Sequence, residues 1–230
     1  MKPAFWARKA HKWIGLVIGV QALLWMISGL YMTIISIDVI HGDHLAHSTS
    51  APLSASARYV SPTQLIAEHP GLTGFRLKQM MDRTVYEVRT EAGAVLVDAM
   101  TGEPWGPLDE SQARRIAESL YQGNAPLVSI ALLTEAPQEV ASRPVPMWQA
   151  RFADRGRTTL YISPATGELL AKRHELWRWF DFLWMLHIMD YEAREDVNNT
   201  LLRVAAAIGF VFALSGIWLL FYSFRKGGKA

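Results

Sequence analysis

Two long apolar runs that contain no charged residue constrain this chain more than any other feature. The first extends from Trp13 to Ser36 and the second from Val204 to Ser223. As helices that rise 1.5 Å per residue they would be about 36 Å and about 30 Å long, enough to cross a hydrocarbon core of roughly 30 Å. The first run is far longer than the apolar core of a signal peptide, so we expect a retained anchor. The sequence therefore predicts an integral protein of the lipid bilayer with two spanning helices.

The charges around these runs predict an orientation. All 21 acidic residues lie between Asp38 and Asp196. Before the first run and after the second, all charged residues are basic: Lys2, Arg8, Lys9, Lys12, Arg225, Lys226 and Lys229. By the positive-inside rule both termini are predicted to be cytoplasmic and residues 38–200 to lie outside. In a bacterium this means an inner-membrane protein with a periplasmic domain.

Several classes of function are disfavoured by what the sequence lacks. The chain has no cysteine, which excludes disulfides and thiolate-held clusters. Its net charge of +2 gives no support to nucleic-acid binding. It also contains no glycine-rich phosphate loop, no G-x-S-x-G and no H-E-x-x-H. The domain between the spans must therefore be stabilised by ordinary core packing.

Two segments of that domain echo each other. Residues 85–105 read VYEVRTEAGAVLVDAMTGEPW, and residues 147–170 read MWQARFADRGRTTLYISPATGELL. Each begins with a strand of alternating polarity, passes a short turn (Ala92-Gly93 or Arg155-Gly156) and continues in a second strand. Each second strand is followed by Thr-Gly-Glu, in which Gly supplies the positive φ of a tight turn. The echo predicts two β-hairpins.

A helix signal precedes each predicted hairpin. Ser61-Pro62 is typical of an N-cap followed by proline in the first helical turn. Asp109 with Gln112 forms the pattern of a capping box. The domain is therefore predicted to be α+β, built as helix–hairpin twice, with each helix covering one sheet face.

These patterns resemble the PepSY domain and the PepSY-associated transmembrane family. The domain resemblance rests on the helix and paired strands that end in D-A-x-T-G-E, here residues 98–103. The membrane resemblance rests on His11-Lys12-Trp13-Ile14-Gly15, on Ile27-Ser28-Gly29-Leu30 in the first run and on Leu214-Ser215-Gly216-Ile217 in the second. Larger relatives have four spans and include inner-membrane, haem-containing reductases of ferric siderophores. The resemblance implies haem b as a cofactor, but this chain has only two spans.

The predicted fold is a membrane protein whose two transmembrane α-helices flank two PepSY-like helix–hairpin repeats, with an added interfacial amphipathic helix. That helix is assigned to the aromatic stretch from Leu176 to Met189, which at about 21 Å is too short to span. The predicted order is cytoplasmic N-terminus (1–12), transmembrane helix 1 (13–37), outer linker (38–57), repeat 1 (58–107), repeat 2 (108–172), interfacial helix and connector (173–200), transmembrane helix 2 (201–223) and cytoplasmic tail (224–230).

Histidines at the predicted membrane edges are the candidate haem ligands. His11 lies at the cytoplasmic end of the first run and matches the family's transmembrane histidine, whereas His187 lies in the aromatic stretch. His41 and His44 follow the outer end of the first run and could approach the same iron as His187. A haem at His11 would need its second ligand from another subunit, which implies a homodimer.

Each candidate also has a structural interpretation. His11 could be a solvated flank residue, and His187 could pack neutral against tryptophans. His41, His44 and His47 could form an exposed loop or an adventitious metal site. Met26, Met32 and Met185 are weaker candidate ligands but more typical of packing. Arg203 is expected to snorkel to the interface, or to bind a haem propionate. Ser28, Gly29, Ser215 and Gly216 are expected to mark close helix contact.

Three functions stay open on the sequence. The first is a haem-b electron carrier that receives electrons from another protein or a membrane quinone and delivers them to a periplasmic acceptor such as a ferric chelate. The second is a non-enzymatic PepSY module that binds or inhibits a periplasmic partner. The third is an accessory subunit of a larger membrane complex. The ligand pair, donor and acceptor are not specified by the residues.

Overall fold

The chain forms two compact units. The computed structural model describes residues 3–47, 52–54 and 56–224, without the side chains of residues 3, 4 and 222–224. Met1–Ile37 and Arg178–Ala230 form the helix unit, and Asp38–Trp177 form the sheet unit. Residues 225–230 of the predicted cytoplasmic tail, with the basic residues Arg225, Lys226 and Lys229, lie outside the described residues, as do Lys2 and part of the predicted outer linker.

The two longest helices are at the ends of the chain, and shorter helices and strands lie between them. In chain order the elements are α1 (Pro3–Ile34), α2 (Ile37–His41), α3 (Pro62–Glu68), β1 (Leu72–Met80), β2 (Arg83–Thr90), β3 (Gly93–Asp98), β4 (Pro104–Trp105), α4 (Glu110–Leu120), β5 (Leu127–Leu133), a 3-10 helix (Gln138–Val140), β6 (Met147–Phe152), β7 (Thr159–Ile162), β8 (Leu169–Arg173), α5 (Glu175–Ile188) and α6 (Thr200–Phe224).

The helix unit is built on the antiparallel pair α1 and α6. Both helices are long and apolar enough to cross a membrane, as the two uncharged runs predicted. Glycines bring them together. A Cβ on Gly15 would lie 2.9 Å from the Phe212 ring, and one on Gly209 would lie 3.3 Å from the Trp25 ring. Small residues at these positions therefore allow large aromatic side chains to pack between the helices.

The sheet unit contains two antiparallel sheets with the same order. The first runs β1-β2-β3-β4 and the second β5-β6-β7-β8, and each is preceded by a helix. The predicted hairpins are β2–β3 and β6–β7. Each sheet has an additional strand before its hairpin and another after the Thr-Gly-Glu turn, so the repeated element is larger than the hairpin that the sequence predicted. β1 and β5 show no regular alternation of polarity, and β4 has only two residues.

The predicted helix caps and the positive φ of the Thr-Gly-Glu glycines are confirmed in the sheet unit. Ser61 caps α3 by accepting a hydrogen bond from the Gln64 amide, and Asp109 forms a capping box with Gln112 on α4. Gly102 and Gly167 have φ of +81° and +68° in the two Thr-Gly-Glu turns. The predicted turns differ from those in the structure: Glu91-Ala92 rather than Ala92-Gly93 joins β2 to β3, and the longer segment 153–158, which contains the predicted Arg155-Gly156, joins β6 to β7.

The sheet unit is arranged in layers around these elements. α3 packs through Leu65 on one face of the first sheet, against Val88 and Val97. The largest core cluster joins Ile116 of α4 to residues of both sheets, including Val85 and Leu160. The far face of the second sheet is covered by the 3-10 helix. α4 therefore lies between the sheets, whereas the sequence predicted that each helix would serve one sheet.

A buried carboxylate connects the two halves of the sheet unit. The Glu87 side chain of β2 is fully buried and accepts hydrogen bonds from Arg76, Lys78 and Arg89 at 2.7–2.9 Å. Arg76 also pairs with Glu168, in the turn before β8. Burial by itself would raise the pKa of Glu87, but the hydrogen bonds from the three cations outweigh it and lower the pKa to about 2.

Candidate functional site

His187, at the end of α5, contacts α1 through a set of hydrogen bonds. Its Nδ1 lies 2.7 Å from the Ser28 hydroxyl. Two of the last carbonyls of α5 accept hydrogen bonds from α1. Trp25 donates to the His187 carbonyl at 2.7 Å, and Gln21 donates to the Leu186 carbonyl at 2.9 Å. These donors satisfy carbonyls that a helix end leaves without partners, so the end of α5 is fixed to α1.

The hydrogen bonds of Ser28 favour one tautomer of His187. The single hydroxyl hydrogen of Ser28 has two carbonyl acceptors, Leu24 at 2.7 Å and Trp25 at 3.2 Å. With that hydrogen directed to a carbonyl, Ser28 Oγ is left as an acceptor, and this arrangement favours donation by His187 Nδ1–H. The lone pair is then on Nε2, which is the tautomer that a metal-binding imidazole needs.

His11 is held in the same way at the other end of α1. Its Nδ1 lies 2.8 Å from Ser215 Oγ, and Ser215 donates its hydrogen to the Phe212 carbonyl at 2.7 Å. The same argument favours an Nδ1–H donor and an Nε2 lone pair for His11. The ring is stacked on Phe212, with centroids 4.5 Å apart.

The two glycines of the repeated Ser-Gly motif have different surroundings. A Cβ on Gly216 would lie 3.3 Å from His11 Cε1, so a larger residue there would press on the imidazole. A Cβ on Gly29 would meet nothing within 4 Å. The predicted close helix contact is therefore present at Gly216, whereas in the first span Ser28 makes the contact to a histidine.

The two Ser–His pairs are far apart. His11 and Ser28 are both on α1, 17 positions apart, which is about 26 Å at 1.5 Å per residue. His187 is bonded to Ser28, so it lies near one end of the α1–α6 pair while His11 lies near the other. Within one chain these two histidines cannot bind the same iron.

The histidines after the first span lie in the sheet unit. His41 ends α2, which is separated from α1 by Ile35 and Ser36, and the side chains of His41, His44 and His47 are exposed. The His44 ring lies 6.1 Å from that of buried His174, whose Nε2 contacts the Ile40 carbonyl at 3.0 Å. Within residues 3–47, 52–54 and 56–224 no group of three His, Asp or Glu side chains could hold a metal ion.

The remaining candidates of the sequence analysis make few polar contacts. Arg203, in the first turn of α6, has an exposed side chain, and so does Met26. Asp43, which precedes His44 in the chain, does have a charged partner. Its carboxylate accepts a hydrogen bond from Lys172 at 2.6 Å, and this bond lowers the pKa of Asp43. No contact of these residues tests the assignments to a haem propionate or to a weak iron ligand.

Sequence reasoning missed the contacts of Ser28 and Ser215 with the histidines and the roles of Gln21 and Trp25. Gln21 is a polar residue in the middle of an apolar span, and such residues commonly face the interior of a helix bundle. That signal could have identified the contact between α1 and α5. The pairing of Ser28 with His187 and of Ser215 with His11 joins positions 159 and 204 apart, and no local pattern indicates which serine meets which histidine.

Comparison with known proteins identifies the family. The model of the PepSY-associated TM region matches residues 8–230, which covers both spans and the sheet unit. No curated protein and no solved structure matches the chain. Because the family match extends over nearly the whole chain and includes both Ser-Gly motifs and their histidines, this membrane protein belongs to the family of the PepSY-associated TM region.

Proposed function

We propose that this protein is a haem-b-binding electron-transfer component of the bacterial inner membrane. In this proposal both termini are cytoplasmic, and the sheet unit is a periplasmic pair of PepSY-like repeats. Electrons would come from a membrane quinone or a redox protein and reach a periplasmic acceptor such as a ferric chelate. The aromatic face of α5, with Trp179 and Phe182 exposed, would rest at the membrane surface.

The observation that carries the proposal is the serine hydroxyl within hydrogen-bond distance of Nδ1 of each of the two histidines in the helix unit. A metal-bound histidine usually donates its other ring N–H to a fixed acceptor, which orients the ring and raises the basicity of the ligating nitrogen. His187 and His11 each have such an acceptor, Ser28 Oγ or Ser215 Oγ. The same Ser–His pairing recurs at both ends of the helix pair, and for this reason we assign both histidines the same role.

The surroundings of each ring suit a cofactor with low water access. His187 is stacked with Trp184 at 6.3 Å between centroids, and Trp184 is in turn stacked with Phe180. His11 lies between Phe212 and the space left by Gly216. Aromatic side chains around a ligand exclude water and influence the potential of the metal. When bound, haem would supply one-electron redox chemistry at these positions.

Each histidine would need a second ligand from elsewhere. For His187 we propose His41 or His44, as the sequence analysis predicts. For His11 the second ligand would come from another subunit, because no second histidine of the helix unit lies near it. In a two-fold symmetric dimer the two copies of His11 would be at the same depth in the membrane. Arg203, in the first turn of α6, is the proposed propionate partner at the His187 end.

The test is haem content in five single variants purified in mild detergent. The wild-type protein should show a Soret band and, when reduced, sharp α and β bands. His187→Ala should lose the haem at its end of the helix pair, and either His41→Ala or His44→Ala should do the same. His47→Ala is the matched control and should keep it. His11→Ala should keep that haem and lose only a haem that forms between subunits.

Two outcomes would contradict the proposal. A wild-type preparation with full haem supply that stays colourless would favour the binding module over the electron carrier. Loss of all haem in His11→Ala with unchanged content in His187→Ala would move the cofactor to the other end of the helix pair. Pyridine haemochrome measurements give the stoichiometry that separates these cases.

A further inference from the structure

A large cleft runs through the sheet unit between the edges of its two sheets. It is lined by β1, by β8, by one side of α4 and by the segment that follows α2, and its volume is about 1470 Å³. The turn that precedes β8 touches β1, since Lys78 donates to the Thr166 carbonyl at 2.9 Å. Pockets for small molecules typically have volumes of 300–1,000 Å³. The size of the cleft therefore favours a segment of polypeptide as its occupant.

Both sheets present an unpaired edge to this cleft. β1 and β8 are the outermost strands of their sheets. β1 and β2 are joined by the two-residue turn Met81-Asp82, so Met80 and Arg83 form a hydrogen-bonded pair between the two strands. The residue of β1 before Met80 and every second residue before that one therefore direct their backbone N–H and C=O groups away from β2. Leu77 and Gln79 are such residues, and both line the cleft.

The outward backbone groups of β1 are available for pairing. No backbone hydrogen bond from a described residue outside the strands reaches Leu77 or Gln79. An exposed strand edge of this kind can bind an extended segment as an additional strand. β1 has nine residues, so its edge would accommodate a segment of several residues.

The cleft has a net positive charge. Six of its lining side chains are Lys or Arg, and three are Asp or Glu. Two of the cations are available to a ligand. Arg143 has no ion-pair partner within the described part of the chain, and Arg115 pairs with Asp82, at 3.5 Å, whose side chain is 90% exposed. An exposed pair of this kind contributes little and exchanges easily for a better partner.

We propose that this cleft binds an extended acidic segment of a partner protein, which adds to the free edge of β1 and places carboxylates beside Arg115 and Arg143. The backbone edge would supply main-chain hydrogen bonds, and the two arginines would select acidic side chains. The proposal does not depend on haem, because the residues that carry it lie in the sheet unit.

The test is fluorescence anisotropy with the full-length protein in detergent and a short labelled peptide that alternates Val and Glu. This peptide should bind, and the double substitution Arg115→Glu with Arg143→Glu should weaken binding by at least about tenfold. Arg155→Glu is the control for the change of charge, because Arg155 is exposed in the β6–β7 turn, outside the cleft. It should leave the affinity within about twofold of wild type.

Two altered peptides separate the contributions of backbone and charge without changing the protein. The same peptide with alternate amides N-methylated cannot donate along one edge and should bind much more weakly. A Val–Lys peptide should not bind. Equal affinity for the N-methylated peptide, together with displacement by citrate, would indicate a small-anion site and overturn strand addition. Equal affinity for the Val–Lys peptide, or no binding of the Val–Glu peptide, would also overturn the proposal.

Discussion

In the helix unit Leu16, Val20 and Phe221 expose 71%, 72% and 70% of their surface, whereas Ser28 is fully buried. In the sheet unit the relation is reversed. Val85, Leu96 and Leu160 are fully buried in the core, and charged side chains mostly face outward. Each unit thus follows the rule for a different solvent, because apolar side chains on a transmembrane helix lose nothing by facing lipid.

Each unit also buries a few polar side chains, and these have specific partners. Ser28 and Ser215 are buried in the helix unit and orient His187 and His11. Glu87 is buried in the sheet unit and forms the charge cluster that links the two sheets. Buried polar groups are as a rule hydrogen-bonded, whether water or lipid surrounds the protein. The positions of these side chains therefore depend on their hydrogen-bond partners as well as on burial.

Chemical labelling in intact cells is the most direct test of whether the two units face different solvents. The chain has no cysteine, so single cysteines can be introduced without background. A cysteine at Thr101 should react with an impermeant maleimide from outside, and one at Gly228 should not. A cysteine at Val20 should not react from either side, although that side chain is exposed in the isolated chain, because lipid covers it. Labelling of Val20→Cys would mean that α1 faces water, and labelling of Gly228→Cys from outside would reverse the topology.

The largest energetic effect is expected at Glu87. Glu87→Gln should destabilise the sheet unit by about 3 kcal/mol, because three cations lose their buried counter-charge. Glu91→Gln, on the exposed turn of the same hairpin, is the control and should change stability by less than about 0.5 kcal/mol. Urea denaturation in mild detergent, followed by circular dichroism, measures both. Equal stability of the two variants would show that the cluster contributes nothing.

Glu87 also predicts a dependence of stability on pH. Its pKa is about 2 in the folded chain, below the ordinary value of 4.5, so its contribution is complete above pH 4.5 and is lost as the pH falls toward 2. From pH 6 to pH 3 this carboxylate should account for a loss of about 2 kcal/mol. The measurement is the difference between the pH profiles of wild type and Glu87→Gln, in which all other groups cancel. Parallel profiles would contradict the lowered pKa.

A smaller effect is expected from the serine that orients His187. Ser28→Ala should weaken haem retention at the His187 end roughly tenfold, about 1.4 kcal/mol, and shift the reduction potential, because the ligating imidazole loses its acceptor. Ser28→Thr keeps the hydroxyl and should restore both. Thr33→Ala is the control, since the Thr33 hydroxyl contacts only the Leu30 carbonyl of its own helix. If Ser28→Ala and Thr33→Ala behave alike, Ser28 has no role in ligand orientation.

Much of the architecture could be predicted because it depends on neighbours in sequence. The spans follow from uninterrupted apolar runs, and the caps at Ser61 and Asp109 follow from residues three positions apart. The outermost strands were harder to predict. β1 and β5 do not alternate regularly, because their side chains meet different surroundings along each strand, and period-2 reasoning does not detect such strands.

Local patterns in the sequence were enough to predict two apolar helices with an α+β region between them, and the Ser-Gly motifs and Thr-Gly-Glu turns indicated the family. These properties are local, since hydropathy, capping and turn geometry depend on residues a few positions apart. The folded chain was needed to show that Ser28 contacts His187, that Ser215 contacts His11, that Glu87 lies among three cations and that β1 and β8 line one cleft. Each of these requires the chain to bring distant residues together, and a hydrogen bond or ion pair depends on that approach in space.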